Sequence, residues 1–182
     1  MKKDVTRKRL ADALIEVSAK KPIDKIRIRE ICAVAGLSCQ TFYNHFNDKY
    51  DLILWIHKSF GDELIKKLDN REITFRELHK LNLQFYLDNS EFMVNALYNT
   101  HGNDSYLIKS SENAVEVLKG HISRKLGIDE LPLSDMVTLR MYVYGCIEAY
   151  AFFAMSESCK DIDEMVDIVM EGMSMPLKRY LL

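Results

Sequence analysis

The stretch from Arg27 to Lys49, RIREICAVAGLSCQTFYNHFNDK, leaves the chain few ways to fold. Ile28, Ile31 and Cys32 recur about one helical turn apart, and Val34 and Ala35 come next, which is the pattern of a short amphipathic helix. Gly36 ends that helix, because glycine takes the positive φ that a C′ position needs. Leu37 is a buried-type residue in the turn, and Ser38 is a good N-cap for a second helix. That second helix, Cys39 to Phe46, puts Phe42 and Phe46 on one side. Cys39, Gln40, Thr41, Tyr43, Asn44 and His45 are left for its other faces. Two short helices joined through a tight glycine-containing turn make a helix-turn-helix. The competing reading is an ordinary helical hairpin whose polar face meets water.

The second helix has the chemistry that a DNA major groove asks for. Gln and Asn read adenine through paired hydrogen bonds, and Thr meets a base edge or a thymine methyl. Tyr, His and Lys suit phosphate oxygens. The charge distribution points the same way. Residues 1–50 hold eleven Lys/Arg against six Asp/Glu, a net of +5, while residues 51–182 hold fourteen against twenty-one, a net of −7. A basic head on an acidic body is expected when only the head meets phosphate. A first helix, Val5 to Lys20, carries the stripe Leu10, Ala13, Leu14 and Val17. Lys2, Lys3, Arg7, Lys8 and Arg9 gather at its start, where cations oppose the helix dipole and are better explained by a polyanionic partner. Lys21-Pro22 stops it. Ile23 and Ile26 complete a small core with Leu14, Ile31 and Phe42.

A family resemblance adds to the reading of these residues. GLSCQTFYNHFNDKYDLI resembles the G-x-S-x-x-T-x-Y-x-H-F-x-x-K-x-x-L signature of TetR-type transcriptional regulators, matching at Gly36, Ser38, Thr41, Tyr43, His45, Phe46, Lys49 and Leu52. With the upstream IRIREICAVAG it covers roughly the first 55 residues. The resemblance implies a sequence-specific regulator, a repressor by family habit, that binds a palindromic double-stranded operator as a homodimer. The candidate DNA-contacting residues are Arg27, Ser38, Cys39, Gln40, Thr41, Tyr43, Asn44, His45 and Lys49. The short body and the D-K-Y-D-L-I-x-W-I run are also similar to regulators of dihydroxyacetone kinase operons, which can bind a protein co-regulator in place of a small molecule.

The rest of the chain reads as helix throughout. Three prolines and seven glycines in 182 residues, 48% of them hydrophobic, argue for an all-α protein. The expected organisation is a three-helix head over residues 1–49 and a helical ligand-binding and dimerisation body over 50–182. Asp48 caps a fourth helix running to about Leu68. Thr74 and Glu77 form a capping box for the next, with Phe75, Leu78, Leu81, Phe85 and Tyr86 inward. Phe92, Met93, Ala96 and Leu97 mark a short helix. Ser105 to Lys125 turns Ile108, Val115, Leu118 and Ile122 inward. Ser134 caps a long helix to Met155 that is apolar nearly all round and so needs cover on several sides. A last helix, Asp161 to Leu182, has a seam of Ile162, Met165, Val166, Val169, Met173 and Leu177, with a kink at Pro176. The apolar excess of the last two helices predicts a homodimer through residues 134–182, broken by charges at Val169 and Met173.

The residues offer no catalytic constellation, metal set or cofactor motif. There is no glycine-rich phosphate loop, no H-E-x-x-H and no C-x-x-C among Cys32, Cys39, Cys146 and Cys159. The expectation is therefore a non-enzymatic protein without cofactor or metal. With no apolar run of 18 residues and no signal peptide, it is expected in the cytoplasm and off the membrane. TetR-like regulators usually hold a small effector in the body. The candidate lining is Phe85, Tyr86, Phe92, Tyr98, Tyr106, Tyr142 and Phe152, with Glu148 as the one carboxylate inside an apolar helix. As a bare pattern such aromatics are more often solid core than pocket lining. The rival from another class is a helical protein-interaction module whose head has lost DNA binding.

Overall fold

A computed structural model describes residues 2–156 and 161–182; Cys159 lies outside them. Among the described residues there are ten α-helices: α1 Lys2–Ser18, α2 Ile28–Ala35, α3 Cys39–Tyr43, α4 Lys49–Asp69, α5 Phe75–Asp88, α6 Ser90–Tyr98, α7 Tyr106–Leu126, α8 Leu133–Met155, α9 Ile162–Glu171 and α10 Met175–Leu181. The all-α expectation holds. The helices form two compact units, residues 1–57 with 91–106 and residues 58–90 with 107–182.

The first unit is built on the core read from the sequence: Leu10, Leu14, Ile23, Ile31 and Phe42 are fully buried. Pro22 stops α1, and a 3-10 turn over Ile23–Lys25 carries the chain into α2. That junction is tied down by Asn95 of α6. Its side-chain oxygen accepts from the Ile23 N–H at 2.9 Å, and its amide nitrogen donates to the Ser18 and Lys21 carbonyls, each at 2.8 Å. A buried amide with all these bonds made is rigid, whereas each one lost leaves a buried polar group unpaired. Tyr106 closes the same unit; its hydroxyl is 2.8 Å from Nδ1 of His57.

In the second unit α5 packs on α8 and α9. Thr74 and Glu77 make the expected capping box. Phe75, Leu78 and Leu83 are buried, and Phe85 stacks on Phe60 with centroids 4.3 Å apart. Arg76 and Lys80 of α5 clamp Asp163 of α9 at 2.9 and 2.7 Å.

Several expectations need correction. Leu81 and Ile108, read as inward, are exposed. Ser134 is not a cap: α8 starts one residue earlier behind Pro132, whose fixed φ suits a helix entrance. The last helix does not kink at Pro176 but breaks at Gly172, and Pro176 sits in the first turn of α10, where its missing N–H costs nothing. Val169 and Met173, chosen as dimer-breaking positions, are 6% and 3% exposed, so they belong to the core of their own chain.

Candidate nucleic-acid interface

Local chemistry sets α2 and α3 at their angle. The Arg27 N–H donates to Oε2 of Glu30 at 2.7 Å, closing the start of α2. The other Glu30 oxygen takes the Lys21 ammonium at 2.6 Å. That ion pair first, and the Arg27 N–H second, hold the Glu30 carboxyl below its usual pKa. At the far end Gly36 sits at φ 62°, and the Leu37 N–H reaches back to the Cys32 carbonyl at 2.9 Å. Arg9 of α1 donates to the Ala35 carbonyl at 2.7 Å, so α1 seals the end of α2. A side chain at Gly36 would carry the backbone strain and also meet the Arg9 guanidinium at 3.2 Å.

Ser38 then caps α3. Its hydroxyl oxygen accepts from the Thr41 N–H at 3.1 Å and lies 2.9 Å from the Thr41 hydroxyl. Phe42 anchors the inner side of α3, fully buried, with the rings of Tyr43 and Phe46 at 5.6 and 5.8 Å. α3 ends at Tyr43, three residues short of the expected Phe46, although the Phe46 N–H still bonds the Phe42 carbonyl at 3.0 Å. With Phe42 turned in, Gln40, Tyr43 and Asn44 are turned out and exposed, and Gln40 donates to Asn44 at 3.2 Å.

Of the nine candidate residues, Arg27, Ser38, Gln40, Tyr43 and Asn44 are exposed, while Cys39, Thr41, His45 and Lys49 are half-buried. Lys49 has an internal task that the sequence did not signal. Its ammonium donates to the carbonyls of Asp24 and Ile26 at 2.8 and 2.9 Å, fastening the turn before α2 to the start of α4. Loss of hydration there lowers its pKa. An ammonium has three N–H bonds, so one remains for an outside acceptor.

The candidate effector residues are divided between the two units. Phe92, Tyr98 and Tyr106 belong to the first unit, where Phe92 and Tyr106 are buried and Tyr98 is exposed. Phe85, Tyr86, Tyr142, Glu148 and Phe152 belong to the second. There Tyr86 and Tyr142 are buried, but Glu148 and Phe152 lie on the exposed side of α8, so Phe152 is not inward in the single chain. Tyr142 and Tyr150 bracket His79: the Tyr142 hydroxyl is 3.0 Å from Nε2 and the Tyr150 hydroxyl bonds Nδ1. Burial brings the His79 pKa down to about 4. The three side chains form a buried, hydrogen-bonded polar cluster. The second unit does carry a groove of about 900 Å³, whose lining includes Leu68, Ile73, Phe75, Arg71, Arg124 and Lys125 and none of the eight candidates.

A capped helix presenting a polar face, held over a three-helix core, defines a helix-turn-helix protein. Residues 10–56 match the family model described as bacterial regulatory proteins, tetR family. A curated relative, the HTH-type dhaKLM operon transcriptional activator DhaS of Lactococcus lactis subsp. lactis (strain IL1403), is 29% identical over 99 residues, 54% of this chain and 52% of that protein. The match thus spans about half the length of that relative. The solved structure of a dihydroxyacetone kinase operon activator DhaS has a TM-score of 0.62 at 17% identity, covering 98% of this chain and 99% of the other. FadR from Bacillus subtilis in complex with stearoyl-CoA gives 0.61 at 17% identity, covering 91% of this chain and 97% of the other. At these identities the structural likeness speaks for the fold.

Proposed function

We propose that the chain is a sequence-specific regulator of transcription that binds a palindromic double-stranded DNA operator as a homodimer. Residues 1–49 act as the DNA-binding domain and residues 50–182 as the regulatory and dimerisation body. The observation that carries the reading is the outward face of α3, Gln40, Tyr43 and Asn44, made available by the Ser38 cap and the buried Phe42. Gln40 and Asn44 are the base readers. Arg27, Tyr43, His45 and the remaining N–H of Lys49 reach phosphates; Ser38, Cys39 and Thr41 sit where the first turn of α3 approaches the groove. A regulator of chromosomal DNA works in the cytoplasm and needs no cofactor or enzymatic step.

The dimer face is the uncovered side of α8. Leu133, Met141 and Phe152 are 82%, 72% and 60% exposed, and Val137 and Met155 continue the stripe at helical spacing. Gly145 and Glu148 share that exposed side between Met141 and Phe152, and a face this rich in apolar residues marks an interface. Control comes through the body, from a small effector or a protein co-regulator that favours one arrangement of the paired heads over another. FadR was solved with an acyl-CoA and DhaS is an operon activator, so a ligand-bound body and an activating role both occur on this fold. Repression is the family habit; a promoter fusion read with and without the gene fixes the sign.

The test is selection from a random duplex library by the reduced full chain, followed by salt titration on the selected and scrambled duplexes. The expected result is a palindrome whose log affinity falls linearly with log salt. If no duplex is enriched, and none binds at low salt with or without cell extract as a source of effector, the regulator reading fails and the interaction-module reading takes its place.

A further inference from the structure

The junction between α1 and α2 is gripped by two side chains from outside it. Asn95 of α6 takes the Ser18 and Lys21 carbonyls, each at 2.8 Å, and the Ile23 N–H at 2.9 Å. Lys49 at the start of α4 takes the Asp24 and Ile26 carbonyls at 2.8 and 2.9 Å. Asn99 adds a bond to the Asn95 side-chain oxygen at 3.1 Å. Asn95 is 9% exposed, and its amide thus uses both N–H bonds and both lone pairs of its oxygen. A backbone N–H only donates and a carbonyl only accepts, so the amide fits this place in one orientation. Leu, of similar size, offers neither donor nor acceptor. α6 is itself fixed at its far end. Thr100 donates to the Ala96 carbonyl at 2.8 Å and accepts from the Tyr106 N–H at 2.6 Å, and the Tyr106 hydroxyl meets Nδ1 of His57 on α4. Residues 91–106 accordingly group with residues 1–57.

We propose that Asn95 is a positioning residue for DNA recognition: from α6, outside the DNA-reading residues 1–49, it sets the angle between α1 and the α2–α3 pair. The inference rests on the proposed DNA-reading role of α3. Arg9 of α1 holds the far end of α2 through the Ala35 carbonyl at 2.7 Å, so that bond and the junction fix α2 against α1 from its two ends. α3 follows α2 through the Gly36 turn, and any tilt of α2 carries Gln40 and Asn44 with it. Without the Asn95 amide, the Ile23 N–H and the Ser18 and Lys21 carbonyls lose their partners, and the junction must open to water to satisfy them. Hydrogen bonds to base edges need close distance and alignment, whereas charge attraction to phosphate falls off slowly. Every Lys and Arg remains in place. The signature of this role is therefore a lost preference for the operator, with the attraction to DNA as such retained.

The test compares Asn95→Leu with wild type in the full-length chain by two measurements. Hydrogen exchange resolved by residue should show the Ile23 amide protected in wild type and exchanging about tenfold faster in the variant, the effect of one lost hydrogen bond. On the selected duplex, affinity should fall about tenfold, the loss expected for one good base contact. On the scrambled duplex, affinity and salt slope should stay as in wild type, because the charges are unchanged. A residue that only stabilises the fold would instead lower both affinities by one common factor, that of the folded fraction. Equal losses on the two duplexes, an unchanged operator affinity, or an Ile23 amide that exchanges as fast in wild type as in the variant overturns the proposal. Should Asn95→Leu fail to fold by circular dichroism, Asn95→Ser replaces it. The smaller side chain admits water to the same backbone groups, and the same pattern is expected with a smaller loss on the operator. If wild type binds no duplex, the regulator reading fails and this role falls with it, while the Ile23 exchange still reports whether Asn95 holds the junction.

Discussion

α3 and α8 each have a face that the single chain leaves uncovered, and the two faces have opposite chemistry. α3 shows Gln40, Tyr43 and Asn44 outward and buries Phe42. α8 shows Leu133, Met141 and Phe152 outward while also burying Leu139, Val143 and Ile147. The polar face satisfies itself in water until a base edge offers better-placed partners. The apolar face gains only by leaving water. On the proposed function, one helix meets an exchangeable partner and the other a lasting one.

The widest contrast lies within the apolar half of the molecule. Val169→Asp puts a carboxylate into the core beside Met165 and Val166, where an unpaired charge costs on the order of several kcal/mol. It should abolish cooperative unfolding or lower the melting temperature drastically in circular dichroism. Met141→Asp with Phe152→Asp places two charges on the uncovered face instead. That variant should keep the helical spectrum and sediment as a monomer. If it remains a dimer, the interface is not the α8 stripe; if it unfolds, the stripe is not a free face of the single chain.

The features legible in the sequence were local ones. The caps at Ser38, Asp48 and Thr74 with Glu77 depend on residues three apart, and all three are present. The head core was legible because Leu14, Ile31 and Phe42 stand out against charged neighbours. Long-range bonds left no such signal. Asn95 reaches back 72 residues to Ile23, Lys49 reaches Asp24 and Ile26, and His79 meets Tyr142 and Tyr150. In α8 apolar residues fall on every side, so periodicity carries no phase and cannot tell Met141 from Leu139. In α9 the seam with Val169 was legible, but sequence does not say whether a seam is covered by the chain's own core or by a partner. For the effector aromatics, residue type alone does not separate a cavity wall from a packed ring.

A middle-sized effect comes from the polar core behind α8. His79 ordinarily titrates near 6.5, and burial lowers it to about 4 in the folded chain. Between those values the unfolded chain binds the proton and the folded chain does not, so stability rises with pH across the window and is lost as pH falls. His57, also lowered to about 4 by loss of hydration, adds in the same direction from the other unit. The loss should be on the order of 2–3 kcal/mol per histidine at full protonation. Urea unfolding of wild type at pH 7 and pH 4.5 measures it. His79→Gln, which cannot charge, should flatten the pH dependence without removing the His57 share. An unchanged slope in that variant means the histidine is not the titrating group.

The finest distinction is within α3 itself, between reading a base and touching a phosphate. Gln40→Ala should cost roughly 1–3 kcal/mol on the selected operator, almost nothing on scrambled duplex, and relax preference at one base pair. Lys49→Ala removes the proposed phosphate contact and also the bonds to the Asp24 and Ile26 carbonyls. It should lower the salt slope by about one per subunit and the melting temperature together. Tyr43→Phe is the cleanest and smallest change. Tyr43 is exposed, its ring leans on Phe42, and only the hydroxyl is lost, so packing is unaffected. A neutral donor to a phosphate contributes about 0.5–1.5 kcal/mol and releases no counterion of its own. Affinity should therefore fall by a similar small factor on operator and scrambled DNA, with the salt slope unchanged. A loss confined to the operator would move Tyr43 from the backbone to a base edge, and equal losses for Gln40→Ala on both duplexes would reverse the two faces of α3.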